Sequence, residues 1–305
     1  MLDISVIILT YNEEMHIRRC LENVNRFASK VFVVDCFSTD RTVEIATDLG
    51  AEVVKHKWPG NQAAQFNWAL DNLPISTQWV LRLDADEYLT EELIDELVNK
   101  LQSLPSHISA IVLPLGRAFL GRVLKHGIVN GIKMIRLFRY GKARYEIRLM
   151  DEHLTVLDGD IIPFTGKFID DNRNSIKYFI EKHNNYSSRE AALLLDAEFQ
   201  LSNINSLGIN EKFCNDVQKK RLQKQQYAKY PLFWRAVAYF LYRYFYKLGF
   251  LDGKEGFLWD FLQGWWYRTL VDAKIFEIKK VCGNDKEKMR SYLKEQYGID
   301  LSDMV

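Results

Sequence analysis

Between Ile4 and Leu9 every position is apolar or small, so both faces of an extended segment would be covered, as in a central strand of a parallel sheet. Ile17, Leu21 and Val24 then recur at helical spacing before a second apolar strand, VFVVD, that ends at Asp35. Asp40 is suited to open the next helix and Gly50 to close it. A short strand around Val53 and Val54, a helix from about Asn61 to Leu73, and the strand WVLRL leading into Asp84 continue the alternation. Thr90 reads as a helix cap, with Glu91 and Glu92 in the first turn, where acids favour the dipole. Strands AIVLPL near residue 112 and MIRLF near residue 136 bracket a long loop rich in glycine and basic residues. Strand and helix in alternation predict an α/β fold with a mainly parallel central sheet.

After about Leu154 the texture changes to longer helical segments, one starting at Asn174 or Ser175 and running towards Asp196. Pro231 to Leu270 holds 15 of the 40 aromatic residues. Within its first half, PLFWRAVAYFLYRYFYKLGF, the only charges are Arg235, Arg243 and Lys247. On a single helix, at 100° per residue, these fall within an arc of about 120°. A basic stripe opposite an aromatic surface suits an interfacial helix lying on a membrane, and the same pattern suits equally well aromatics packed against the catalytic domain or a partner subunit.

Composition narrows the class without choosing a function. The 305 residues carry 41 Lys and Arg against 40 Asp and Glu, so no global charge points to nucleic acid, and none is expected as a partner. Cys20, Cys36, Cys214 and Cys282 are too sparse and scattered for a disulfide scaffold or a paired-cysteine zinc site, which fits a reducing, cytoplasmic setting. The first residues, with Asp3 ahead of a short apolar run, read as a strand rather than a signal peptide, and no run of about 18 apolar residues predicts a membrane span.

The sharpest chemical signal is Asp84-Ala85-Asp86 at the end of an apolar strand, because ligands of open α/β sheets bind outside the carboxyl ends of the strands. Carboxylates two apart on an extended segment point the same way and suit a hard divalent cation, Mg2+ or Mn2+. Taken alone the tripeptide reads better as an acidic turn ahead of a helix. The first strand, however, ends in Thr10-Tyr11-Asn12-Glu13 and the second in Asp35-Cys36-Phe37-Ser38, so three strand ends offer polar groups to one edge.

The segments VIILTYNEE, VFVVDCFSTDRT and WVLRLDADEYL, in this order and spacing, resemble the nucleotide-sugar half of glycosyltransferase family 2 enzymes of the GT-A fold. The resemblance covers about residues 2–154 and is similar in detail to bacterial lipopolysaccharide-core β-1,4-glucosyltransferase-like members. It implies a GT-A catalytic domain over 1–170, with a nucleotide-sugar half at 1–90 and an acceptor half at 91–170, followed by a helical, aromatic-rich region at 171–305. It implies further that Thr10, Tyr11, Glu13 and Gln65 lie beside the nucleotide-sugar, that Asp35 meets the uracil ring, that Asp84 approaches the ribose and the metal, and that Asp86 binds the metal. The family usually has small residues after the aspartate of the second strand, where this chain carries Cys36 and Phe37.

RLMDEHL falls where the family's acidic base motif lies, which implies Glu152, or Asp151 beside it, as the base that deprotonates the acceptor. The segment from Gly116 to Arg139 also resembles that subgroup, and Arg117, Arg122, Arg136 and Arg139 become candidate contacts to acceptor or phosphate. Gln218-Lys219-Lys220-Arg221-Leu222 approaches the Gln-x-x-Arg-Trp motif of processive synthases but lacks its tryptophan. The implied activity is a metal-dependent, inverting transfer of a hexose, glucose first, from a UDP-sugar to a lipopolysaccharide-core or other surface-glycan acceptor, a glycolipid or oligosaccharide. The implied setting is the cytoplasm or the cytoplasmic face of the inner membrane. Transfer to a polyprenyl phosphate and a non-catalytic membrane-associated scaffold are the alternatives. A nucleotidyltransferase should carry a Gly-rich phosphate loop, and LTYNEEMHI has no glycine.

Overall fold

The computed structural model describes residues 1–129, 131–146, 153–202 and 226–301. The chain forms two compact units, Met1–Arg173 and Asn174–Val305. The strands of the first unit are β1 (Leu2–Thr10), β2 (Ala28–Asp35), β3 (Glu52–Lys55), β4 (Trp79–Asp84), β5 (Glu87–Leu89), β6 (Ile108–Phe119), β7 (Arg122–Leu124), β8 (Lys133–Arg139), β9 (Ala143–Tyr145), β10 (Leu154–Val156), β11 (Asp160–Pro163) and β12 (Phe168–Asp170). Helices α1 (Ile17–Val24), α2 (Thr42–Asp48), α3 (Gln62–Asn72) and α4 (Glu91–Lys100) join them.

The main sheet has the order β3-β2-β1-β4-β8-β6-β12-β5, with β7 and β11 also paired to β6, while β9 and β10 form a separate ribbon. β3, β2, β1 and β4 run parallel, β8 is antiparallel to β4 and β6, and β6 therefore points the same way as β4. The apolar run of β1 explains its central place. Val6 and Ile8 share a core with Ile17, Leu21 and Val24 of α1, and Ile7, on the opposite face, is equally buried.

Local signals set the helix ends. Asn61 and Thr90 cap α3 and α4 by accepting the backbone N–H of Ala64 and Leu93. α2 starts one residue later than Asp40 would place it, because the Asp40 carboxylate is shared between the N–H groups of Thr42 and Glu14.

In the second unit, α5 (Ile176–Phe199) begins at the Ser175 cap and extends beyond Asp196 to close on Gln200. Helices α6 (Trp234–Leu241), α7 (Gly253–Trp259), α8 (Tyr267–Cys282) and α9 (Lys286–Tyr297) follow, with wide π turns at Tyr242–Tyr246 and Asp260–Trp266. Ala191, Ala192 and Leu195 of α5 pack with Val271, Ile275 and Ile278 of α8 and with Met289 and Leu293 of α9.

The aromatic stretch reverses the orientation that single-helix periodicity implied. Arg235 and Arg243 are buried, not solvated: Arg235 pairs with Asp272 and Arg243 with Asp260. The outward side carries Trp234 (75% exposed), Tyr242, Phe245 and Tyr246 (74% exposed), and Lys247 lies within 6 Å of the Tyr242 and Tyr246 rings. Both partner carboxylates belong to later helical segments, which a helical wheel of one segment cannot register. Gly249 permits the second pair, since a Cβ there would come within 1.9 Å of an Asp260 oxygen.

Asp272 also accepts the N–H of Phe233, whose φ of +68° is left-handed, so one carboxylate holds both the turn and the arginine. Removing one partner of a buried pair typically costs about 3–5 kcal/mol. Asp272→Ala is accordingly expected to lower the urea midpoint sharply, whereas the double substitution Arg235→Met with Asp272→Leu should recover most of the loss. Equal midpoints for Asp272→Ala and the parent would show that the pair is immaterial.

Candidate active site

The C-terminal ends of β2, β1 and β4 lie side by side, with Thr10 opposite Asp35 and Leu9 opposite Asp84. Thr10 and Asp35 are buried. The Asp35 carboxylate accepts the Thr10 hydroxyl at 3.0 Å, the Ser38 N–H at 2.8 Å and the Ser38 hydroxyl. Asp35, the residue implied to meet uracil, is thus engaged inside the protein and shapes the loop that follows β2. Tyr11 is exposed on the neighbouring loop.

Glu13 is part-buried, and its carboxylate lies 2.7 Å from His16 Nδ1. The backbone N–H of Arg173 donates to His16 Nε2 at 2.9 Å. A backbone N–H can only donate, so Nε2 is the unprotonated nitrogen and Nδ1–H donates to Glu13. Gln65 is fully buried; it lies 2.7 Å from His56 Nδ1 and donates to Cys36 Sγ at 3.2 Å, while the His56 ring stacks on Trp68 with centroids 3.8 Å apart.

Asp84 sits between two guanidinium groups. Arg82 approaches one carboxylate oxygen at 3.5 Å and Arg136 the other at 3.4 Å. Glu87, buried beneath, accepts the Asp84 N–H at 2.9 Å and pairs with Arg136 at 2.6 Å. Burial pushes the Glu87 carboxyl up, opposed by the Arg136 guanidinium and reinforced by the Asp84 charge. Asp86 lies one turn further out: Asn172 donates to its carboxylate at 2.8 Å, and its carbonyl accepts from Arg19 and from the Asp171 N–H, each at 3.0 Å.

The basic candidates separate. Arg117, at the same edge of the sheet, pairs with Asp170 at 2.8 Å, and Arg122 is exposed on β7. Arg136 is not a loop charge but a buried strand residue committed to Glu87 and Asp84. Arg139 lies at the opposite end of the sheet, because β8 is antiparallel and pairs Arg139 with Trp79 at the start of β4. Its guanidinium donates to the Ile108 and Pro105 carbonyls at 2.7 and 3.2 Å, so it braces a loop far along the strand from Asp84. Asp151 and Glu152 lie outside the described residues, as does the Gln218–Leu222 segment.

Sequence reasoning missed Arg82, Glu87, Arg19, His16 and Asn172. Arg82 did leave a signal, a lone charge within an apolar strand. Asn172 and Arg19 left none, since their roles depend on β12 returning beside β5.

A curled, mainly parallel sheet with polar and acidic groups gathered at adjacent strand ends belongs to the GT-A class of transferases. The family description "Glycosyl transferase family 2" matches residues 5–116. An uncharacterized glycosyltransferase of Rickettsia prowazekii is 32% identical over 66% of this chain and 70% of its own length. The lipopolysaccharide core biosynthesis glycosyltransferase LpsC of Rhizobium meliloti is 27% identical over 90% of this chain and 93% of its own. The solved structure of Staphylococcus aureus TarS residues 1–349 is 16% identical, covering 98% of this chain and 91% of that one with a TM-score of 0.43. The chain belongs to glycosyltransferase family 2 and is a glycosyltransferase.

Proposed function

We propose that the protein transfers a hexose, glucose first, from a UDP-sugar to a lipopolysaccharide-core or related bacterial surface-glycan acceptor, with inversion at the anomeric carbon. The observation that supports this reading is that Asp84 ends β4 next to the ends of β1 and β2, where Thr10 and Asp35 lie, with Asp86 two residues beyond it. The name of the Rhizobium relative supports the acceptor class. Free nucleotide released from a panel of nucleotide-sugars, with and without Mn2+, tests it; hydrolysis or transfer from none of them would refute it.

A divalent cation fits Asp86 better than Asp84. Among the described residues no cluster of three or more metal-ligating side chains exists, so the protein would supply few ligands and the diphosphate the rest, as Mg2+ and Mn2+ commonly accept. A cation at Asp84 would be repelled by Arg82 and Arg136. Among the described residues the Asp86 carboxylate pairs with no guanidinium and accepts instead from the neutral amide of Asn172, while Arg19 is bound to the Asp86 carbonyl and to Asp171. When bound, the cation would neutralise charge on the departing diphosphate. Glu152, with Asp151 beside it, is the proposed base that takes the proton of the acceptor hydroxyl. The acceptor oxygen then bonds to the anomeric carbon as the bond to the nucleotide diphosphate breaks.

The reading places the protein on the cytoplasmic face of the inner membrane, where a lipid-linked acceptor is met. Among the described residues no helix is long and apolar enough to cross a membrane. The support for surface docking is the exposed aromatic side around Trp234, Phe245 and Tyr246 with Lys247 among the rings. With Arg235 and Arg243 turned inward, binding rests on those rings more than on a basic stripe. The full chain is expected to float with anionic liposomes, and the Trp234→Ser, Tyr246→Ser double variant to stay with the free protein. If parent and variant sediment alike, the aromatic side does not bind lipid.

A further inference from the structure

Asp84 meets two guanidinium groups, yet neither has closed on it. Arg82 and Arg136 stand 3.5 and 3.4 Å from its two carboxylate oxygens, whereas charge-assisted pairs commonly close to about 2.7–2.9 Å. The two arginines are neighbours across strands. The antiparallel pairing of β8 with β4 ends at Leu81 opposite Leu137, and extending that register by one residue sets Arg82 against Arg136. Both side chains are buried, and Arg82 Nε and Arg136 Nε and Nη1 have no hydrogen-bond partner among the described residues. Aromatic rings wall them in: Arg82 lies 4.5 Å from the Tyr145 centroid and Arg136 5.2 Å from that of Phe168. Two buried cations with unused donors pull strongly on any carboxylate in reach.

A competing acceptor on each side holds them off. Arg82 Nη2 gives its shorter hydrogen bond to Gln62 Oε1, at 3.1 Å. Arg136 Nη2, the same nitrogen that faces Asp84, gives its shorter bond to Glu87 Oε1, at 2.6 Å. The other oxygen of Glu87 accepts the backbone N–H of Asp84 at 2.9 Å. One carboxylate therefore fixes both the strand end that carries Asp84 and the cation beside it. The fold alone does not require this, because apolar residues of similar volume often replace a buried ion pair without loss of stability. Asp84 is also the member of the group that solvent reaches: its side chain is 31% exposed, against 4% for Glu87.

We propose that Glu87 is a positioning residue for sugar transfer: by holding Arg136 and the Asp84 N–H, it keeps the Asp84 carboxylate from closing into an ion pair with Arg136 and so leaves it available to the donor. The proposal rests on the nucleotide-sugar reading above and adds to it the residue that keeps the strand-end acid in working position. Without the Glu87 charge, Arg136 turns to Asp84, the acid next in its reach, and the donor must compete with a guanidinium for that carboxylate.

Glu87→Gln, made in the full-length protein, keeps the shape of the side chain and an acceptor for the Asp84 N–H while removing the charge. Calorimetric titration with UDP in the presence of Mn2+, below the melting transition of each variant, should show affinity reduced roughly 10- to 150-fold, the span of a hydrogen bond to a charged group. Adding Arg136→Met to Glu87→Gln removes the competing guanidinium and should bring UDP affinity back to within about twofold of the parent. A residue that merely supports the fold would behave otherwise, since a second buried substitution would compound the loss. Should Glu87→Gln fail to fold, the double variant, which leaves no unpaired charge at the two positions, reads the same question: parent-like UDP affinity is expected. UDP affinity of Glu87→Gln within about twofold of the parent, or a folded double variant that binds UDP tenfold or more weakly than the parent, would overturn the positioning role and leave the nucleotide-sugar reading intact. Failure of the parent to bind any nucleoside diphosphate would overturn both.

Discussion

Asp86→Ala is expected to abolish sugar transfer and leave the fold in place. The cation proposed at this carboxylate stabilises developing diphosphate charge by several kcal/mol, which at about 1.4 kcal/mol per tenfold corresponds to roughly 10²–10⁴ in rate. The structural cost is small by comparison. Asp86 is half-buried, and the hydrogen bond from Asn172 is the side-chain contact that would be lost, a loss of about 1 kcal/mol for an ordinary partner. The carbonyl of residue 86, which holds Arg19 and the Asp171 N–H, survives the substitution. Nucleotide release in a Mn2+ titration, alongside a thermal melt, checks both halves. Wild-type activity of Asp86→Ala in excess chelator would remove the cation from the mechanism.

Glu152→Gln is expected to lower kcat by about 10²-fold or more while leaving donor affinity near that of the parent. A general base acts on the acceptor hydroxyl and contributes mainly in the transition state, so its loss falls on turnover and not on donor binding. Single-turnover transfer and a separate UDP titration make the split measurable. If Glu152→Gln turns over normally and Asp151→Asn is inactive, the neighbouring carboxylate is the base.

Much of the first unit was legible in the linear chain because its strands are buried on both faces and its helices are bounded by local caps. The run from Ile4 to Leu9, the Thr90 cap and the stop at Gly50 each depend on a few adjacent residues. The family was legible for a related reason: its loops follow consecutive strands, so the residues that meet at the sheet edge appear in order along the sequence. Single charges were harder. Arg139 and Arg136 stand three apart on one strand, yet the first braces carbonyls at the remote end and the second is buried against Glu87. Nothing in the sequence distinguishes them.

Sequence alone therefore determined the α/β class, the positions of the strand ends and the identity of the acids and aromatics placed there, because hydrophobic periodicity and capping are short-range. Tertiary structure decided which of those groups face outward. Asp35 turned out buried and satisfied by Thr10 and Ser38, Asp84 was found between two guanidinium groups, and Phe37 was left exposed on a strained backbone. In the second unit it inverted the aromatic helix, burying Arg235 and Arg243 against Asp272 and Asp260. For the charged groups among these the physical reason is shared: a charge drawn into the protein must find counter-charges or hydrogen-bond donors, and the residues supplying them lie from 2 to 52 positions away along the chain. Only the folded arrangement brings them within reach.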